Sequence, residues 1–189
     1  MIGILLCGGA GTRMGGADKP LLNWRGQPLF TRVTARLRPQ VEKLVISANR
    51  NESIYAQHAS VVNDQWDDDR GPLAGIASVI QHEQETANQQ GQDAVYLVCP
   101  GDMPKVPADL GARLTAGRPL DEVRYAHDGQ RAQPLCLVCG DRHLEDLLAY
   151  LNSGSRSAIG WLEQLGAVPV PFPDPDAFTN CNQPEDFEQ

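Results

Sequence analysis

Two cations and a carboxylate stand in the stretch LLCGGAGTRMGGADKP: Arg13, Asp18 and Lys19, set among Gly8, Gly9, Gly11, Gly15 and Gly16. Glycine-rich backbone brings amide N–H groups close to an anion and takes conformations closed to side chains. Arg13 and Lys19 supply the charge that opposes phosphate. A second stretch, CPGDMP, sets Asp102 directly after an apolar run. A carboxylate there, facing phosphates, suits Mg²⁺. A third, NDQWDDDRGPLAGI, ends a short apolar run at Asp64 and places Gly71 and Gly75 around the start of a helical pattern. A helix start built of small residues lets a ligand lie against backbone. The run Asp67, Asp68 and Asp69 reads as a solvated loop, because neighbouring carboxylates repel. Taken singly, the glycine loop also reads as a flexible turn and Asp102 as a turn aspartate before Pro104. No Gly-Lys-Ser/Thr closes the loop, so it is not a Walker sequence, nor is it a clean dinucleotide fingerprint.

Other reactive side chains do not assemble. Cys136 and Cys139 form CLVC, which invites a metal or redox reading. The surrounding QPLCLVCG reads as a strand, where residues three apart point to opposite faces. The five cysteines are an odd number and read as reduced thiols. His58, His82, His127 and His143 are scattered, and HEQET from His82 lacks the second histidine of a zinc-protease helix.

The elements that must position these residues alternate along the chain. Strands are expected at 2–6, 43–48, 60–63 and 94–99, the last apolar nearly throughout and so central and covered on both faces. Helices are expected at 28–38, with Leu29, Val33 and Leu37 on one face, at 72–85, and at 107–114 with Asp109 in its first turn. Strands at 122–127 and 132–139 are joined by the turn residues DGQR as a hairpin. Helices at 143–152 and 157–166 follow, then AVPVPF as an edge strand punctuated by proline. This order predicts an α/β fold: a Rossmann-like three-layer α/β/α domain with a mostly parallel sheet and late mixed strands. In such a sheet ligands sit beyond the carboxyl ends of the strands, where the glycine loop and Asp102 both emerge.

The 189 residues suit one domain, 1–189, with no internal repeat or linker. The net charge of −8 argues against a nucleic-acid partner, although a local pocket can still take a small anion. No apolar run approaches the length of a membrane span, and the start lacks the basic residues and cleavage site of a signal peptide, so a cytoplasmic location is expected.

In their order, LCGGAGTRMGGADK, DQWDDDRGPLAGI, CPGDMP, the QPL strand and the terminal FTNCNQPED resemble the nucleotidyltransferase superfamily. The fold implied is of the nucleotide-diphospho-sugar transferase type. More narrowly, essentially the whole chain resembles the molybdenum cofactor guanylyltransferase family. That resemblance implies transfer of GMP from GTP to the terminal phosphate of molybdopterin, with Mg²⁺ as cofactor. It assigns GTP to the N-terminal half: Leu6, Cys7 and Gly8 to the base and ribose, with alanine common at Cys7; Arg13 and Lys19 to the phosphates; Asp64 to the guanine; Asp102 to magnesium. Gly71 opens the GPLAG segment, and Asn49 ends the second strand near the expected nucleotide. Ser47 stands where the family often has asparagine, and Gln183 where it more often has threonine. The C-terminal half then takes molybdopterin, with Arg131 and Gln133 from one strand, Arg156 at a helix start, and Asn180 and Asn182 from the last motif. Arg156 also reads as a surface ion-pair partner, and the two asparagines as turn residues.

The implied partners are these two substrates, with transient contact to cofactor-biosynthesis or delivery proteins. No serine, cysteine or histidine constellation suggests a covalent enzyme intermediate. Three rivals remain: a cytidylyltransferase on the same pterin, another small-molecule nucleotidyltransferase, and a GTP-binding delivery protein without catalysis. The Gly8–Gly9 pair, where cytidylyl relatives usually have Ala-Ala-Gly against Cys-Gly-Gly here, leaves more room for a purine.

Overall fold

Short apolar runs make the strands of this chain, and apolar side chains three and four apart make its helices. A computed structural model describes residues 1–8, 18–66, 70–86, 94–119 and 121–179. Gly9, Arg13, Asn180, Asn182 and the aspartates 67, 68 and 69 lie outside these residues. The elements run β1 (Ile2–Leu6), β2 (Asn23–Trp24), β3 (Gln27–Pro28), α1 (Leu29–Leu37), β4 (Lys43–Ser47), α2 (Glu52–Tyr55), β5 (Ser60–Val62) and α3 (Pro72–Thr86). The second half adds β6 (Val95–Pro100), α4 (Leu110–Thr115), β7 (Arg124–His127), β8 (Ala132–Gly140), α5 (Leu144–Asn152), α6 (Ala158–Gln164) and β9 (Val168–Pro171).

Seven strands form one sheet in the order β5-β4-β1-β6-β8-β7-β9. β6 is its middle strand, as its nearly continuous apolar sequence requires. β8 runs against both β6 and β7, whereas β1 pairs in parallel with β4 and β6, and β7 in parallel with β9. Six strands therefore share one direction and β8 opposes them. The DGQR turn makes the expected hairpin, and β9 closes the sheet as an edge strand.

Each face of the sheet has its own core. On one, Phe30, Val33 and Leu37 of α1, Tyr55 of α2 and Leu110 and Leu114 of α4 pack on Leu5, Ile46, Leu97 and Val138. On the other, α3, α5 and α6 bring Leu73, Ile76, Leu147 and Trp161 onto Ile4, Val45, Val98 and Leu137. Helices on both faces make the three-layer arrangement. Cys136 belongs to the first core and Cys139 to the second, so alternation along β8 separates the CLVC sulfurs. Among the described residues no helix is long and apolar enough to cross a membrane.

Three local expectations change. The helix expected from residue 107 begins at Leu110: residues 107–110 close a turn, Leu110 N donating to Pro107 O at 3.3 Å, and Asp109 at φ −111° and ψ 14° stands outside the helical range. β2 and β3 form a separate small hairpin that two-residue strands do not announce; its turn holds Arg25 at φ 52°. α2 is a single helical turn after Asn51, which has φ 54°.

Candidate nucleotide site at the carboxyl edge

β1 ends between two neighbours that fix its backbone. The Cys7 amide donates to the Ser47 carbonyl at the end of β4 (2.8 Å), and Leu6 O accepts from Gly101 N just past β6 (2.8 Å). The three strand ends are thus laced together where the glycine loop departs. Gly101 is required there, since a β-carbon would lie 2.7 Å from Cys7 Sγ and 3.2 Å from Leu6 O. Leu6 and Cys7 are buried with their side chains in opposite cores, so what they offer a ligand is backbone; Gly8 is exposed. Burial, then the nearby carboxylates of Asp18 and Asp102, push the Cys7 thiol well above its usual range and keep it neutral.

From this edge the structure brings together the two residues on which a polyphosphate reading turns. Lys19 Nζ donates to Asp102 Oδ2 at 2.5 Å, across 83 residues of sequence. Both side chains are 19% exposed. Asp102 Oδ1 is buried and has no hydrogen-bond partner among the described residues. A buried carboxylate oxygen without a donor is costly and suits a cation. One protein carboxylate is enough for Mg²⁺, which commonly completes its octahedron with water and substrate phosphates. No three His, Cys, Asp or Glu side chains gather into a closed metal site among the described residues.

Beside this pair lies a polar clasp. Asn49 Nδ2 donates to Asp64 Oδ2 (2.8 Å), and the Asp64 amide donates back to Asn49 Oδ1 (2.7 Å). Asn49 follows β4 and Asp64 follows β5, so parallel pairing of these strands sets the contact. Ser47 is buried under it, facing α3. A β-carbon on Gly75 would lie 2.3 Å from Ser47 Oγ and 3.4 Å from Asp64 Oδ1, so only glycine allows α3 this approach. Gly71 starts the helix, its carbonyl accepting from Ala74 N at 3.1 Å. Asn51, which the sequence does not single out, donates through Nδ2 to Asp18 Oδ2 (2.9 Å), holding the residue before Lys19. The asparagines two apart in SANRN are the only trace of this contact in the sequence.

The residues expected to face the second substrate are placed differently. Arg156 Nη1 donates to the carbonyls of Leu151 and Ser155, both at 3.0 Å, at the end of α5. Arg70, beside Gly71, reaches Asn152 Oδ1 at 3.4 Å and lies 5.5 Å from the Trp66 ring centre. The end of α5 is therefore at the same edge as the Asp64–Gly71 segment. Gln133 is buried and donates to Asp128 Oδ2 (2.7 Å), while Arg131 pairs with the same carboxylate at 3.6 Å. Both organise the β7–β8 turn. A cavity of about 540 Å³ lined by Asp121, Arg142, His143 and Asp146 opens elsewhere. It lies past the end of β8, level with the start of β6, on the opposite edge of the sheet.

A mostly parallel sheet with a lysine–carboxylate pair and an asparagine–aspartate clasp at its carboxyl edge is an open α/β domain with its polar groups where such folds take their ligands. The family model of the MobA-like NTP transferase domain matches residues 3–168. The molybdenum cofactor guanylyltransferase of Cereibacter sphaeroides is 40% identical over 189 residues, covering 99% of this chain and 93% of that protein. That of Vibrio cholerae is 38% identical over 188 residues, covering 98% and 89%. Among solved structures, the molybdopterin-guanine dinucleotide biosynthesis protein A of Archaeoglobus fulgidus superposes with a TM-score of 0.74 at 21% identity, covering 99% of this chain and 95% of that one. A 4-diphosphocytidyl-2C-methyl-D-erythritol synthase shares the fold at TM-score 0.71 and 14% identity, covering 98% and 93%. The chain belongs to the MobA-like NTP transferase family, alongside its molybdenum cofactor guanylyltransferases.

Proposed function

We propose that this protein transfers GMP from GTP to the terminal phosphate of molybdopterin, releasing pyrophosphate and forming the guanine dinucleotide cofactor. The observation that carries the reading is the meeting of Lys19 with Asp102 Oδ2 while Asp102 Oδ1 is buried and without a partner among the described residues. The family relatives supply the substrate pair. An oxygen of the acceptor phosphate bonds to the α-phosphorus of GTP, and the bond from that phosphorus to the β-bridging oxygen breaks, so the electron pair leaves with pyrophosphate. No enzyme nucleophile is needed, and the protein's work is positioning and charge stabilisation.

Mg²⁺, where bound, supplies the charge that lets two anions approach. Asp102 is the residue that would hold it. Lys19, already at the same point, opposes the charge that grows on the leaving pyrophosphate. Arg13 and Gly9 are assigned to the phosphates from their place in the sequence, and the backbone of Leu6, Cys7 and Gly8 to the nucleoside. Asp64, oriented by Asn49, offers carboxylate oxygens to the N–H groups of guanine. Gly71 lets the start of α3 lie close to the nucleotide. Arg156, Asn180 and Asn182 are assigned to molybdopterin, and the place of the reaction is the cytoplasm.

The test is incubation of the purified chain with molybdopterin, Mg²⁺ and each nucleoside triphosphate in turn, following pyrophosphate. Release with GTP alone is expected. Release with CTP alone makes the protein a cytidylyltransferase, and GTP binding without release makes it a delivery protein.

A further inference from the structure

His127 ends β7 at a turn that is tied down more tightly than a surface hairpin requires. Asp128, 5% exposed, accepts from the amides of Gln130 and Arg131, both at 2.8 Å, and from Gln133 Nε2 at 2.7 Å. The His127 carbonyl accepts from Phe172 N at 2.8 Å, which fixes the other side of the strand end. Within this frame the Gly129 amide donates to His127 Nδ1 at 3.0 Å. An imidazole that accepts at Nδ1 carries its proton on Nε2. The turn therefore presents one oriented N–H donor from a half-buried ring.

The sheet register says where that donor stands. β8 begins at the edge where β6 ends, because it runs antiparallel with Val98 opposite Leu137. His127 pairs with Ala132, the first residue of β8, so it lies at the same edge as Asp102. Two strand spacings separate it from the line of β6, on the order of 10 Å. Ala126 packs in the core of α1 and α4, so alternation sends His127 to the other face, the face of α5 and α6. The end of α5, with Leu151, Asn152 and the guanidinium of Arg156, sits at that edge and on that face. Arg156 at the end of α5 is assigned to the acceptor substrate, so His127 stands at the edge and on the face that this substrate would use.

We infer that His127 is a binding residue for the acceptor substrate, its Nε2–H donating to an acceptor atom on the heterocycle of that molecule. The inference deepens the reading given above and rests on it. It is tested by equilibrium binding of molybdopterin and by steady-state kinetics on wild type, His127→Ala and His127→Gln. His127→Ala raises the Kd and KM for molybdopterin roughly tenfold, the loss of one hydrogen bond, and leaves the KM for GTP within about twofold. His127→Gln, which keeps an N–H donor at similar reach, recovers most of that loss; a merely structural role would not separate the two variants or the two substrates. Unchanged molybdopterin binding in His127→Ala overturns the inference while leaving the transferase reading intact, and so does an equal rise in the KM for GTP. Failure of the wild type itself to bind molybdopterin overturns the transferase reading, and this inference with it.

Discussion

Among the described residues two short lysine–carboxylate pairs stand at opposite edges of one sheet, and they are built to different ends. Lys43 at the start of β4 donates to both oxygens of Glu83 on α3, at 2.8 and 2.6 Å, and Glu83 is 8% exposed. That carboxylate is saturated by a single cation. Lys19 engages Oδ2 of Asp102, and Oδ1 is buried without a donor among the described residues. A buried oxygen left unpaired costs about 1–3 kcal/mol; Asp141 Oδ1 is in the same position at the opposite edge, and what sets Asp102 Oδ1 apart is its place beside a lysine where the glycine loop departs. The saturated pair fastens a helix to a strand; the unsaturated one keeps capacity for something that arrives from outside.

The comparison breaks most sharply at Asp102. Asp102→Ala is expected to lower pyrophosphate release on the order of 10³-fold, with an unfolding midpoint close to that of wild type. Lys19→Ala is expected to cost roughly 10²-fold in turnover and, because it strands a mostly buried Asp102 carboxylate, about 2–3 kcal/mol in stability as well. Wild-type rates in either variant would place that residue outside the reaction.

Lys43→Ala should cost stability without cost in turnover, the reverse of Asp102→Ala. It strands a buried Glu83 carboxylate, and breaking such a pair costs about 2–3 kcal/mol here, less than for a fully buried one because Lys43 itself is 47% exposed. Denaturant titration should show that loss, while turnover at a temperature where the variant stays folded should match wild type. A variant that loses activity but not stability would mean that the two edges are not divided as the geometry divides them.

At the carboxyl edge itself, Gly75 offers a way to sharpen the assignment of the clasp. Gly75→Ala forces a β-carbon against Ser47 Oγ and should cost about 1–3 kcal/mol, while displacing Asp64 and raising the KM for GTP. Adding Ser47→Gly removes the obstructing side chain and should restore most of the stability. Full additivity of the two changes would show that the contact is not the cause.

How much of this was open to a reader of the sequence follows from what is local and what is not. The apolar run of β6 announces a central strand, the DGQR residues announce the β7–β8 hairpin, and the period of β8 puts Cys136 and Cys139 on opposite faces. Lys19 and Asp102 are each visible as candidates because both follow strands whose ends must share an edge. Their 2.5 Å contact is not visible, nor is the orphaned oxygen, because both depend on side-chain packing across 83 residues. Asn49 is legible as a polar residue after a strand, yet its two-point clasp on Asp64 needs the β4–β5 register. Arg156 reads as an anion ligand from its place before a helix. The carbonyls of Leu151 and Ser155 that it meets become apparent only once the turn between α5 and α6 has folded back. β2 and β3 are too short to carry a period, and α2 is too short to carry an amphipathic face.

The smallest effect lies at the β7–β8 turn, where a saturated carboxylate again serves structure. Burial alone would raise the Asp128 pKa, but the amides of Arg131 and Gln130, the Gln133 side chain and the charge of Arg131 outweigh it and hold the group below the usual carboxylate range. The unfolded chain takes up this proton near pH 4, whereas the folded chain takes it up only at lower pH. Asp128 therefore contributes stability that is complete above the unfolded value and is lost as the pH falls through the folded one. Asp128→Asn should remove that acid-side loss, giving a flatter dependence of unfolding free energy on pH below about 4 than wild type shows. The same variant should leave the pH dependence near neutrality unchanged, since no proton is exchanged there. A wild-type slope that persists in Asp128→Asn would assign the acid sensitivity to other carboxylates, and the hydrogen bonds around Asp128 would then hold the turn without linking it to pH.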